Sequence, residues 1–215
     1  GSFCTHHRAM EALEAVKARY DHVIPIVSEV VADTDTRFGT AHDLMREMER
    51  ICDHRVIATQ KEAEPIGPKG LLDLLIIAPC TGSTLGKLAC GIADTTVTLA
   101  AKAHLRNGRP VVVAVSTNDG LGGAARNIGE LLSRKHYYFV PFRQDDPVGK
   151  PTSLVAEMGL VTATVAAALR GEQIQPLLLG PAGEGESPCR SWQGGLSGLA
   201  QVQTCNVGSP PGPGR

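Results

Sequence analysis

Short, unbroken apolar runs alternate with amphipathic stretches along this chain. The clearest runs are Leu72–Ala78 (LDLLIIA) and Pro110–Ser116 (PVVVAVS), with His22–Ser28 (HVIPIVS) and Tyr137–Pro141 (YYFVP) as shorter ones. Continuous runs, rather than apolar–polar alternation, fit strands covered on both faces, as in parallel sheets. Between them, apolar positions recur at helical spacing. In Ala9–Tyr20, Met10, Leu13, Val16 and Tyr20 fall near one face; in Ala41–Cys52, Leu44, Met45, Met48, Ile51 and Cys52 do the same. Thr84–Ala93, Thr95–Arg106 and Ala124–Ser133 complete the helical set. Strands separated by helices predict βαβ crossovers, and hence an α/β fold with a doubly wound parallel sheet of flavodoxin or Rossmann type.

Two regions depart from this order. Gly1–Thr5 lead straight into a helix with no strand before them. From residue 180 onward the chain is dense in Gly, Pro and Ser. Such a composition buries too little apolar surface to offset ordering entropy, which predicts a disordered tail over 180–215 behind a domain of residues 1–179. At about 150 residues per domain, a chain of 215 residues agrees with one domain plus a tail.

Composition narrows the function classes. Hydrophobic residues make up 42% of the chain but aromatic ones only 4%, so the core is aliphatic and base-stacking platforms are disfavoured. A net charge of −1 lacks the basic field of a general nucleic-acid binder. No apolar run approaches the roughly 20 residues that span a bilayer, and no secretory signal pattern opens the chain. Cysteines stand at 4, 52, 80, 90, 189 and 205 without a CxxC pair. We read them as reduced thiols of a cytoplasmic protein, with no structural zinc.

The chemistry gathers where strands end. Leu72–Ala78 runs through Pro79 and Cys80 into Thr81-Gly82-Ser83-Thr84 and then a helix. A helix start leaves backbone N–H groups unpaired, and the hydroxyls add donors, which makes an anion or phosphate cradle at the carboxyl end of a parallel strand. An ordinary βα turn with a Ser/Thr cap explains the same residues equally well. Gly1-Ser2 and Thr5 have the same grammar, with a cloning remnant as the alternative. Ser116-Thr117-Asn118 is a third hydroxyl-rich strand end, or a turn signal continued by Asp119-Gly120. Ser28 ends another run. Several such ends in one sheet converge on one crevice, and this favours a ligand. Arg37, in the polar loop Thr34–Thr40, has the planar fork that clamps a carboxylate; a surface loop with Thr40 as a cap is the alternative. Gln144 and Asp145 follow the fourth run in a loop. Cys80 is either a reactive thiol at a helix start or a packing residue. The histidines show no metal spacing, and no Ser-His-Asp order, Walker loop or GxGxxG is present, so no catalytic residue is assigned.

The stretch Ala78–Val115 (APCTGSTLGKLACGIADTTVTLAAKAHLRNGRPVVVAV) resembles the central block of the flavoprotein family that includes flavin-containing cysteine decarboxylases and flavin prenyltransferases. Thr34–Gly39 (TDTRFG), Ala63–Lys69 (AEPIGPK), Pro110–Asp119, Pro141–Pro147 (PFRQDDP) and Ile174–Leu178 are similar to one branch of it, the B subunits of a two-subunit oxidoreductase of spore-forming bacteria. The resemblance covers residues 1–179. It implies FMN, with Gly1, Ser2, Ser28, Thr81, Ser83, Thr84, Ser116, Thr117 and Asn118 as its binding residues. It also implies a homo-oligomer, an A subunit carrying NAD(P), and oxidation of a dihydropyridine dicarboxylate in the mother cell during sporulation. Arg37, Gln144 and Asp145 fall in the subunit-specific motifs and become candidate substrate contacts. Two departures matter: the family's first strand is missing at the start, and no counterpart of the decarboxylase histidine is found. A stand-alone FMN decarboxylase or prenyltransferase, and a non-catalytic stabilising partner, are the rival readings.

Overall fold

The computed structural model describes residues 6–36 and 39–180. Gly1, Ser2, Thr5, Arg37 and the tail beyond residue 180 lie outside the described residues.

The chain enters in α1 (His6–Lys17), passes the short α2 (Glu29–Asp33), α3 (Ala41–Cys52) and α4 (Gln60–Ala63), and then reaches β1 (Leu75–Cys80). Two helices follow, α5 (Gly82–Cys90) and α6 (Thr96–Leu105), leading to β2 (Val111–Thr117). α7 (Ala125–Ser133), β3 (Tyr137–Phe139), a hairpin of β4 (Phe142–Asp146) and β5 (Lys150–Ala156), and α8 (Val161–Ala168) complete it.

Strand β2 is the centre. β1 runs parallel to it, with Leu75 opposite Val111 and Ile77 opposite Val113. β3 is parallel on its first three residues, and β5 is antiparallel on its last two, Ser116 and Thr117. Val111 through Val115 are fully buried, which is the physical counterpart of an apolar run without alternation. Leu85, Leu131, Phe139 and Val140 pack into the same core. It is aliphatic, as the composition implied.

Caps set the helix ends. Thr40 accepts from the Asp43 N–H at 3.0 Å and starts α3. Thr59 and Glu62 form a reciprocal box at α4. α5 stops at Gly91, whose φ of +70° is the left-handed conformation that glycine adopts without strain.

The fold is α/β as read, and two local expectations change. The predicted strand His22–Ser28 contributes a single parallel bridge, Ile26 to Ile57. Pro25 has no N–H to donate, so the ladder cannot extend through it. Phe142–Pro147, expected as a polar loop, is mostly strand β4. Its polar residues belong to a ribbon whose partner β5 pairs antiparallel with the end of β2, so the sheet is mixed rather than wholly parallel.

Candidate functional site

Because β1 and β2 are parallel and Cys80 lies opposite Val115, the carboxyl ends of both strands emerge side by side. Thr81, Ser83 and Thr84 leave one, and Ser116, Thr117 and Asn118 the other. Thr81 caps α5: its hydroxyl accepts the Thr84 N–H at 3.4 Å and lies 3.2 Å from the Thr84 hydroxyl. Ser83 is exposed on the first turn. The remaining N–H groups of that turn have no acceptor within the helix.

The two loops touch. A Cβ placed on Gly82 would lie 2.7 Å from Thr117 Oγ1 and 2.9 Å from Asp119 Oδ1, so only glycine permits this approach. The Thr117 hydroxyl donates to Asp119 Oδ1 at 2.5 Å. The Asp119 carbonyl accepts the Gly122 and Ala124 N–H groups at 2.8 and 3.1 Å and launches α7. From the other side β5 braces the loop: Thr152 Oγ1 donates to the Asn118 carbonyl at 2.7 Å, and Ser153 Oγ reaches Asn118 Oδ1 at 3.4 Å. Ser116 is buried and pairs with Val155.

Ser28 is the N-cap residue of α2, and its side chain makes no cap hydrogen bond. The next residue, Glu29, sends its carboxylate to the start of α6, where it accepts from the Thr96 N–H at 3.1 Å and the Thr96 hydroxyl at 2.7 Å. Burial works to raise the Glu29 carboxyl, but hydrogen bonds from its own backbone and from Thr96 outweigh it and hold the group below its usual range. Gly1, Ser2 and Arg37 lie outside the described residues. Cys80 is fully buried, and burial pushes its thiol far up, so it packs as a small apolar residue.

Gln144 and Asp145 are engaged inside the hairpin. Gln144 Nε2 donates to the Pro151 carbonyl at 2.8 Å, and Asp145 Oδ2 meets Lys150 Nζ at 3.0 Å. They also line a cavity of about 550 Å³ between α1 and the hairpin. Sequence reasoning missed its other polar walls: Arg8 and Glu11 from the start of α1, and Arg143 and Glu157, whose side chains meet at 3.0 Å. Only the position of Arg143 inside PFRQDDP could have pointed to it. Arg8 lies in a helix with no motif around it.

A mixed α/β sheet with small hydroxyl residues at adjacent strand ends is the architecture of a flavin-binding family, and the chain belongs to it: the Flavoprotein family matches residues 7–127. The chain is 42% identical over 179 residues to the dipicolinate synthase B subunit of Bacillus subtilis (strain 168), spanning 83% of this chain and 90% of that one. It superposes with a TM-score of 0.77 on the crystal structure of the B subunit of dipicolinate synthase from Bacillus halodurans C, at 43% identity over 84% of this chain and 92% of the other. The FMN-dependent cysteine decarboxylase SpaF shares the fold, with a TM-score of 0.55 and 19% identity over 80% of this chain and 92% of that chain.

Proposed function

We propose that this protein is the B subunit of a dipicolinate synthase. With an A subunit that binds NAD(P), it oxidises a dihydrodipicolinate-type precursor to dipicolinate in the mother-cell cytoplasm during sporulation. The 42% identity to the Bacillus subtilis B subunit carries this reading.

The donor set fits a phosphate-bearing flavin. Ser83, Thr81 and Thr84 bring three hydroxyls to the N-terminus of a nine-residue helix, where the helix dipole favours an anion. The Asp119 carboxylate beside this turn accepts the Thr117 hydroxyl. Bound FMN would supply a two-electron acceptor. The chain's own residues do the holding: the α5 turn takes the phosphate, and Ser116, Thr117 and Asn118 form the neighbouring wall. Gly1, Ser2 and Ser28 complete the set that the family resemblance implies, and Arg37 is a candidate substrate contact.

The test is co-expression with an A subunit, measuring flavin absorbance and dipicolinate formation in wild type and in Ser83→Ala, Thr84→Val and Arg37→Ala. The expected result is a yellow complex, with flavin content reduced in the first two variants and product reduced in all three. Unchanged flavin and product in all three would remove the site assignment. Turnover of a cysteine peptide or a prenyl phosphate without the A subunit would replace it with a stand-alone flavin enzyme.

A further inference from the structure

We infer that Ser153 is a positioning residue: its buried hydroxyl fixes the side-chain amide of Asn118 for the flavin, a role that rests on the function proposed above. Asn118 sits between Thr117 and Asp119, the two residues whose side-chain oxygens a Cβ on Gly82 would meet, and Gly82 is the first residue of α5. It therefore stands beside the helix start proposed for the phosphate. Asn118 is exposed, and an exposed amide on a loop samples several rotamers. A ligand that needs one of them bears that loss of freedom on binding, unless the protein has fixed the rotamer beforehand.

Three consecutive residues of β5 grip this loop in different places. Thr152 and Leu154 hold its backbone. Thr152 Oγ1 donates to the Asn118 carbonyl at 2.7 Å, and the Thr152 carbonyl accepts the Leu121 N–H at 2.9 Å. Leu154 fills the space beside Gly120, where a Cβ would come within 2.6 Å of it. Ser153 lies between these two and is 3% exposed. Its hydroxyl proton is shared between the Thr117 carbonyl at 3.3 Å and Asn118 Oδ1 at 3.4 Å. Among the described residues the Asn118 side chain has no other hydrogen-bond partner, so Ser153 is the polar group that selects its rotamer. With Oδ1 turned to the serine, Nδ2 keeps two N–H donors that no described group accepts, and these suit the oxygens of a flavin phosphate or ring. A hydroxyl buried in a strand costs free energy unless it is bonded, and alanine would fill this position without that cost. The two oxygens that Ser153 holds account for its presence.

The experiment is titration of the purified chain with FMN, followed by quenching of flavin fluorescence, together with proton–nitrogen correlation spectra of the side-chain amides recorded without FMN. Loss of a signal pair in Asn118→Ala identifies the Asn118 amide. The expected result is that Ser153→Ala weakens FMN binding by about fivefold and moves the Asn118 pair toward the shifts of a free asparagine side chain. Ser153→Cys, which keeps the packing but is a weak donor, does the same. In the Asn118→Ala background, Ser153→Ala changes FMN affinity by less than about twofold, because the group it acts through is gone. Thermal unfolding of each variant separates lost binding from lost folding. A serine that only stabilised the fold would weaken FMN binding by the same factor with and without Asn118, and that result overturns the inference. So does wild-type affinity in folded Ser153→Ala and Ser153→Cys, or an Asn118 signal that neither substitution moves. No binding of FMN by the wild type, with the Asn118 signal still governed by Ser153, overturns instead the flavin reading of the rim and the purpose assigned to the serine, but not its hold on Asn118.

Discussion

Replacing Gly82 with alanine tests how tightly the two loops of the rim are built. The added methyl would meet Thr117 Oγ1 at 2.7 Å and Asp119 Oδ1 at 2.9 Å, closer than real Cβ atoms come to such oxygens. Relief requires a shift of roughly half an ångström, and neither oxygen is free to give it. They are bonded to each other at 2.5 Å, and the Asp119 backbone starts α7. Overpacking of this kind costs about 1–3 kcal/mol. Against it stands the gain of about 0.5–1 kcal/mol from replacing a helical glycine with alanine. The overlap wins, and Gly82→Ala destabilises by about 1–2 kcal/mol. Gly86, one turn on, is the control: its added Cβ meets only Asn127 Nδ2 at 3.5 Å, an ordinary contact. Gly86→Ala therefore stabilises by about 0.5–1 kcal/mol. Urea denaturation of both variants reads the two signs as opposite shifts in midpoint at constant slope. Thr117→Ala in the Gly82→Ala background removes the nearer oxygen and releases Asp119, so the double variant is more stable than the sum of its parts. Equal midpoints for Gly82→Ala and Gly86→Ala, or strict additivity of the pair, would refute the reasoning.

Three further outcomes are expected. His104 is buried with Nε2 3.0 Å from the Pro110 carbonyl, which can only accept, so Nδ1 is the unprotonated nitrogen and it lacks a partner. Burial, opposed by the Pro110 bond and aided by Arg109, lowers its pKa below the ordinary 6.5. The unfolded chain then binds the proton first, so stability is level above pH 6.5 and falls as pH drops below it. His104→Gln should flatten that slope in urea midpoints between about pH 6.5 and 5, above the carboxylate range, and an unaltered slope rejects the assignment. Arg134 donates to the Leu88 and Ala89 carbonyls at the end of α5, at 3.2 and 2.6 Å, and pairs with Glu130. Arg134→Ala should cost about 1–2 kcal/mol in denaturation, with Arg134→Lys recovering part of it. Gln173 acts as a substitute strand on the edge of β3, accepting from the Phe139 N–H and donating to its carbonyl, both at 2.7 Å. Gln173→Met should cost about 2 kcal/mol and speed hydrogen exchange at the Phe139 amide; protection equal to wild type would remove that role.

The core strands and most helices were legible because their signals are local. An unbroken VVVAV run needs cover on both faces wherever it sits, and a threonine before a helix caps it whatever surrounds it. Thr40 and Thr81 do so here. The hydroxyl-rich ends after β1 and β2 were legible for the same reason, since parallel strands must end on the same side. What the sequence could not determine depends on partners distant along the chain. FRQDD reads as loop until β5 pairs with it; HVIPIVS reads as strand until Pro25 leaves it one bridge. α8 (VTATVAAA) is apolar nearly all round, so it has no stripe to betray it. The cavity was hidden most completely. Arg8 and Arg143 stand 135 positions apart, and only the placement of α1 beside a hairpin that continues the sheet brings both residues to the lining of one cavity.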